Sequence, residues 1–155
     1  MTTLAIDDRH TIRSGADDDP LVVLLHGYGA NEQDLPGLMP HLHPGLAAAS
    51  VRAPLTLGPG SFAWVPIQVP GRPDPSATAD ATAAMLAWFD EFVAPERPVV
   101  LLGFSQGGLM VSQLAAAPPP TGSWRGSCCP ASCSTLPCRV TRHSPRARCR
   151  CSSAR

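Results

Sequence analysis

Five consecutive residues, Gly103-Phe104-Ser105-Gln106-Gly107, carry the clearest chemistry in the chain. A serine set in Gly-x-Ser-x-Gly can act as a nucleophile when a strand enters the pattern and a helix leaves it. Both flanks fit. Val99-Val100-Leu101-Leu102 is an unbroken apolar run, and the residues that follow are helix-compatible to about Ala117. On such a turn the serine is held at a strained backbone angle, and Gly103 and Gly107 leave room for it because they bring no side chain. A helix beginning near Gln106 would aim its free N–H groups and positive dipole end at the point where an oxyanion forms. A glycine-rich loop with a chance serine does not account for both flanks.

The elements that must position this serine are legible in outline. Leu21-Val22-Val23-Leu24-Leu25 is short, apolar and bounded by turn residues, which predicts a strand buried on both faces. Thr3 to Arg13 alternates loosely and reads as an edge strand; Ala47 to Arg52 reads as another strand, ended by Ala53-Pro54. After Leu25 comes His26-Gly27-Tyr28-Gly29-Ala30-Asn31, whose glycines let backbone N–H groups approach a ligand. A histidine at a strand end before glycine is read as shaping its own loop rather than as a base. Asn31 is expected to cap a helix over 32–38. Residues 55–75 read as a loop dense in Pro and Gly that carries Phe62 and Trp64. Ser76 to Val93 reads as a helix capped by Ser76 and stopped by Pro95, with Ala81, Ala84, Met85, Trp88, Phe89 and Phe92 on one core-facing side. Strands alternating with helices predict an α/β fold, a mostly parallel sheet with helices on both faces.

Composition divides the chain. All six cysteines lie after residue 127, most of the arginines lie from Arg125 onward, no acidic residue follows Glu96, and lysine is absent. The expected organisation is a core over 1–117 and an irregular Pro/Arg/Cys-rich tail over 118–155. Net charge is zero, so no global field favours nucleic acid. No apolar run is long enough for a membrane span, and Met1 to Asp8 is unlike a signal peptide, so cytoplasm is the default compartment. In the tail, Cys128, Cys129, Cys133, Cys138, Cys149 and Cys151 lack the paired spacing of a zinc site, so no metal is expected. The tail arginines come with little aromatic company, which argues against a nucleic-acid arm. A disulfide framework would need an oxidising compartment.

Leu24-Leu25-His26-Gly27-Tyr28-Gly29 with Asn31 and Asp34, then Arg52-Ala53-Pro54, Trp64 and Gly103-Phe104-Ser105-Gln106-Gly107-Gly108, resemble the phospholipase/carboxylesterase family of α/β-hydrolases, which includes acyl-protein thioesterases. The resemblance covers roughly residues 20 to 117 and implies cofactor-free hydrolysis of a small carboxylic ester or thioester. It implies that Ser105 attacks the acyl carbon, that the backbone N–H groups of Tyr28 and Gln106 hold the oxyanion, and that Phe62 and Trp64 lie near the acyl or alcohol pocket. The pattern then breaks. In this fold an acid and a histidine follow the serine, yet no Asp or Glu follows Ser105, and the one later histidine, His143, lies in no recognisable motif. Impaired catalysis is therefore expected. A frame-shifted reading of the gene from about residue 118 would explain the tail, and would leave 99–102 as an apolar sheet edge with poor solubility. The alternative is a non-catalytic interaction module that uses the core and the Arg/Cys-rich tail. Oligomeric state is not legible.

Overall fold

A computed structural model describes residues 4–69 and 71–117; the proposed tail and its cysteines, and His143, lie outside them. The strands are β1 (Ile12–Ser14), β2 (Leu21–Leu25), β3 (Ala47–Val51), β4 (Leu55–Gly58), β5 (Ser61–Ala63) and β6 (Val99–Gly103), and the α-helices are α1 (Pro75–Phe92) and α2 (Gln106–Ala116). Among the described residues the main sheet has the order β1-β3-β2-β6. β2 is parallel to both neighbours, with Leu21 opposite Ala47 and Val99 and Leu25 opposite Val51 and Gly103; β1 is antiparallel to β3. Three parallel strands therefore end at one level. In open α/β sheets that carboxyl end is where ligands bind.

Every residue of β2 is at most 4% exposed, as its apolar run requires. Leu21, Val23 and Leu25 pack with Ala81, Met85, Trp88 and Phe89 of α1 and with Met110 and Leu114 of α2. Val22, Leu24 and Ala48 face the other way, toward Leu35, Met39 and Leu42. Among the described residues both α-helices thus lie on one face. The opposite face is covered by a 3-10 helix, Pro36–His41, and its flanks. Helix 32–38 does not form. Asn31 instead accepts the Gln33 N–H, and the Asp34 carboxylate accepts the Asn31 N–H at 2.8 Å, closing a local turn. Pro36 and Pro40 lack the N–H groups an α-helix needs, so only the tighter turn follows.

Four further expectations are corrected. The 55–75 segment contains a hairpin of β4 and β5, turned at Gly60 with φ +68°. Helix α1 is capped by Asp74, not Ser76: Pro75 takes the first helical position, so the cap falls two residues earlier than expected, and the Asp74 carboxylate accepts the Ala77 N–H at 2.9 Å. Phe92 is 40% exposed and leans on Trp88, while Val93 just past the helix takes the buried place. The N-terminal edge strand is confined to Ile12–Ser14 and follows a 3-10 turn at Asp8–His10. At the other side of the sheet β6 bonds only β2 among the described residues, and Val100 is half exposed.

Candidate active site

Ser105 stands in the step from β6 to α2, at the carboxyl end of the sheet, and is exposed. Its φ of +52° and ψ of −113° make it the one non-glycine residue with positive φ among the described residues. An L-residue there is strained by roughly 1–3 kcal/mol, so the surroundings must impose the geometry. They do. A Cβ on Gly103 would fall inside the Gly107 carbonyl, and a Cβ on Gly107 would fall inside the Leu25 carbonyl at the end of β2. The elbow is therefore pressed against the central strand. Phe104 N–H donates to Leu25 C=O at 3.1 Å, and Gly107 N–H donates to Phe104 C=O at 2.9 Å.

The 26–31 loop reaches this elbow from β2. A Cβ on Gly27 would lie 3.6 Å from Ser105 Cβ and 3.2 Å from the Phe104 ring, so glycine permits the close approach. Neither the Tyr28 N–H nor the Gln106 N–H donates to any group among the described residues. The loop is held by the β4–β5 hairpin. Gly29 N–H donates to Phe62 C=O and Phe62 N–H to Ala30 C=O, each at 2.9 Å. Ser61 Oγ donates to Gly29 C=O and Asn31 Nδ2 to Gly60 C=O, each at 3.0 Å.

His26 is wholly buried. Ala53 N–H donates to its Nε2 at 3.0 Å, so the proton is on Nδ1, which donates to Gly27 C=O at 2.8 Å. Burial holds the imidazole below the usual histidine range. With both nitrogens engaged by backbone, His26 shapes its own loop, as its place before Gly27 suggests. Trp64 is also wholly buried, with its indole N–H on His26 C=O at 2.8 Å, so it lies beneath the loop rather than open to solvent. Phe62 is half buried, and the Arg52 guanidinium sits 4.4 Å from its ring centre. Arg52 Nε donates to Glu32 at 2.7 Å; these guanidinium bonds hold the buried Glu32 carboxyl below its ordinary range against the opposing effect of burial. Sequence reasoning missed this ion pair, and its visible trace was only the Arg-Ala-Pro piece.

Ser105 thus stands exposed at the start of α2, Gly27 comes close to its Cβ, and the Tyr28 and Gln106 N–H groups are undonated; acyl transfer to serine uses free donors of that kind. Among the described residues no carboxylate or imidazole bonds Ser105 Oγ, and no group of three or more His, Cys, Asp or Glu could hold a metal ion.

Comparison with known proteins agrees with this architecture. Among solved structures, a carboxylesterase from Mesorhizobium loti matches at 26% identity and a TM-score of 0.55, over 61% of this chain and 47% of that one. The Bacillus cereus carboxylesterase matches at 24% identity and 0.60, over 68% and 52%. Zea mays acyl-protein thioesterase 2 matches at 21% identity and 0.51, over 73% and 54%. The chain thus spans about half the length of these proteins. No curated protein matches it. A model of the alpha/beta hydrolase family matches residues 22–148, which takes in the sheet, the 26–31 loop and the serine elbow and runs on past residue 117. With that match over most of its length and a strained serine at the end of a parallel sheet, the chain belongs to the alpha/beta hydrolase family.

Proposed function

We propose that this chain carries the nucleophile half of a serine hydrolase acting on small carboxylic esters or thioesters. The observation that carries the reading is the backbone of Ser105, held at positive φ between two glycines: a side chain on Gly103 would displace the start of α2, and one on Gly107 would displace the end of β2. Ser105 Oγ bonds to the acyl carbon, and the carbonyl oxygen becomes an oxyanion between the N–H groups of Tyr28 and Gln106. Collapse breaks the bond to the alcohol or thiol, and water later releases the acid. Losing one oxyanion donor typically costs about a hundred- to a thousand-fold in rate. Gly103 and Gly107 form the elbow. Phe62 flanks the loop, and Trp64 enters as a support beneath the site. The chemistry uses no cofactor.

The proton from Ser105 needs a base oriented by a third group. His26 cannot serve, because its acceptor nitrogen is taken by Ala53. No Asp or Glu follows Ser105 in the sequence, and His143 lies outside the described residues. On this reading these residues carry the part of catalysis that an oxyanion hole and binding supply without a triad, about a thousand- to ten-thousand-fold over water. A fluorophosphonate probe tests the reading. Slow labelling that disappears in Ser105→Ala is expected on long incubation at high probe concentration, because no activating base is identified; a folded protein that labels no faster than Ser105→Ala under those conditions overturns it. The alternative, an interaction module, rests on the tail, and nothing among the described residues favours it. No helix among them is long and apolar enough to cross a membrane.

A further inference from the structure

We propose that the side chain of Gln106, the ring of Trp64 and the ring of His26 form one positioning relay that sets the Tyr28 amide relative to the elbow. The proposal rests on the reading of Ser105 as nucleophile and adds how its oxyanion donors are aligned. The Gln106 side chain is turned toward the two residues that follow β5. Its Oε1 accepts the N–H groups of Trp64 at 2.8 Å and Val65 at 3.4 Å, and its Nε2 donates to Val65 C=O at 2.7 Å. Trp64 passes the constraint on, because its indole N–H donates to His26 C=O. The His26 ring completes it. Gly27 C=O and Tyr28 N–H belong to one planar trans peptide, so a bond that anchors the oxygen fixes the opposite direction of the N–H. Nδ1–H of His26 makes that bond at 2.8 Å, and Ala53 N–H on Nε2 keeps the proton on Nδ1. Residue 26 follows β2, residue 64 follows β5 and residue 106 opens α2, so the two donors are aligned by buried side chains rather than by chain continuity. All three are positioning residues: none needs to touch substrate with its side chain.

The test uses the full chain with Gln106→Leu, Trp64→Phe and the double variant, and with Met85→Leu in the core as a control. Two readouts are taken, the ¹H–¹⁵N cross-peak of the Tyr28 amide and the rate of Ser105 labelling by a fluorophosphonate. The relay requires the Tyr28 peak to move in Gln106→Leu and in Trp64→Phe and to stay in place in Met85→Leu. It also requires each single variant to label at least about tenfold more slowly, since misplacement by about 1 Å can cost about a hundredfold. The double variant should be no slower than the worse single, because the two changes cut the same path. Should Gln106→Leu not fold, Trp64→Phe, which keeps an aromatic ring and deletes one donor, decides alone. An unmoved Tyr28 peak in folded Trp64→Phe overturns the relay. If the wild-type chain shows no labelling at Ser105, the hydrolase reading falls instead, and the Tyr28 peak still decides the relay.

Discussion

Replacing Ser105 by alanine and by glycine separates strain from chemistry. Both variants lack the hydroxyl, so neither can be acylated, but alanine keeps the Cβ that makes φ +52° and ψ −113° costly, and glycine removes it. The strain at such a position is about 1–3 kcal/mol. Glycine gives back about 0.4–1 kcal/mol through the greater freedom of the unfolded chain. The balance favours Ser105→Gly over Ser105→Ala by about 1 kcal/mol, which in a chain of this size raises Tm by about 2–4 °C. Urea unfolding of both variants, followed by far-UV circular dichroism, measures the difference. Ala83→Gly, on the exposed side of α1, is the control and should lose about 1 kcal/mol, the opposite sign. If Ser105→Gly is no more stable than Ser105→Ala, the surroundings do not impose the strained geometry, and the elbow argument is refuted.

Gly107→Ala should destabilise by at least about 2 kcal/mol, since its Cβ meets the backbone of β2 rather than a movable side chain; urea unfolding within 0.5 kcal/mol of wild type, a margin set by ordinary surface substitutions, would contradict this. Arg52→Met leaves Glu32 buried without its partner and should cost about 2 kcal/mol at pH 7. Because the folded Glu32 carboxyl titrates below its ordinary value of 4.5, that pair's stabilisation is present above about pH 4.5 and fades as pH falls through the folded value, so the variant's penalty should shrink there. For His26 folding favours the neutral form rather than the charged one, and the direction with pH is the same. Its folded imidazole titrates below 6.5, so the unfolded chain binds the extra proton and stability falls as pH drops below about 6.5. Urea midpoints at pH 7.5 and 5.5 check the slope, and ¹⁵N spectra that show the His26 ring titrating normally would remove its cause.

What local sequence could announce, it announced. Five apolar residues from Leu21 to Leu25 have only one stable use, a strand covered on both sides, and the glycines around Ser105 mark a turn that no other residue fits. These are constraints between near neighbours, so they are written in consecutive letters. The corrections came where local preference competed with something equally local. Pro75 moved the α1 cap to Asp74, and Pro36 with Pro40 turned an expected helix into a 3-10 turn behind the Asn31–Asp34 contact. The rest lay beyond reach of any window along the chain. That both α-helices lie on one face, that Glu32 finds Arg52, and that Trp64 is a buried support under the 26–31 loop depend on which elements the sheet brings together. Residue types and spacing determined that Ser105 sits on an elbow. Only the tertiary structure decided how the Tyr28 loop meets it, because that meeting is built from hydrogen bonds between residues about 40 positions apart, whose partners are set by strand order and not by pattern.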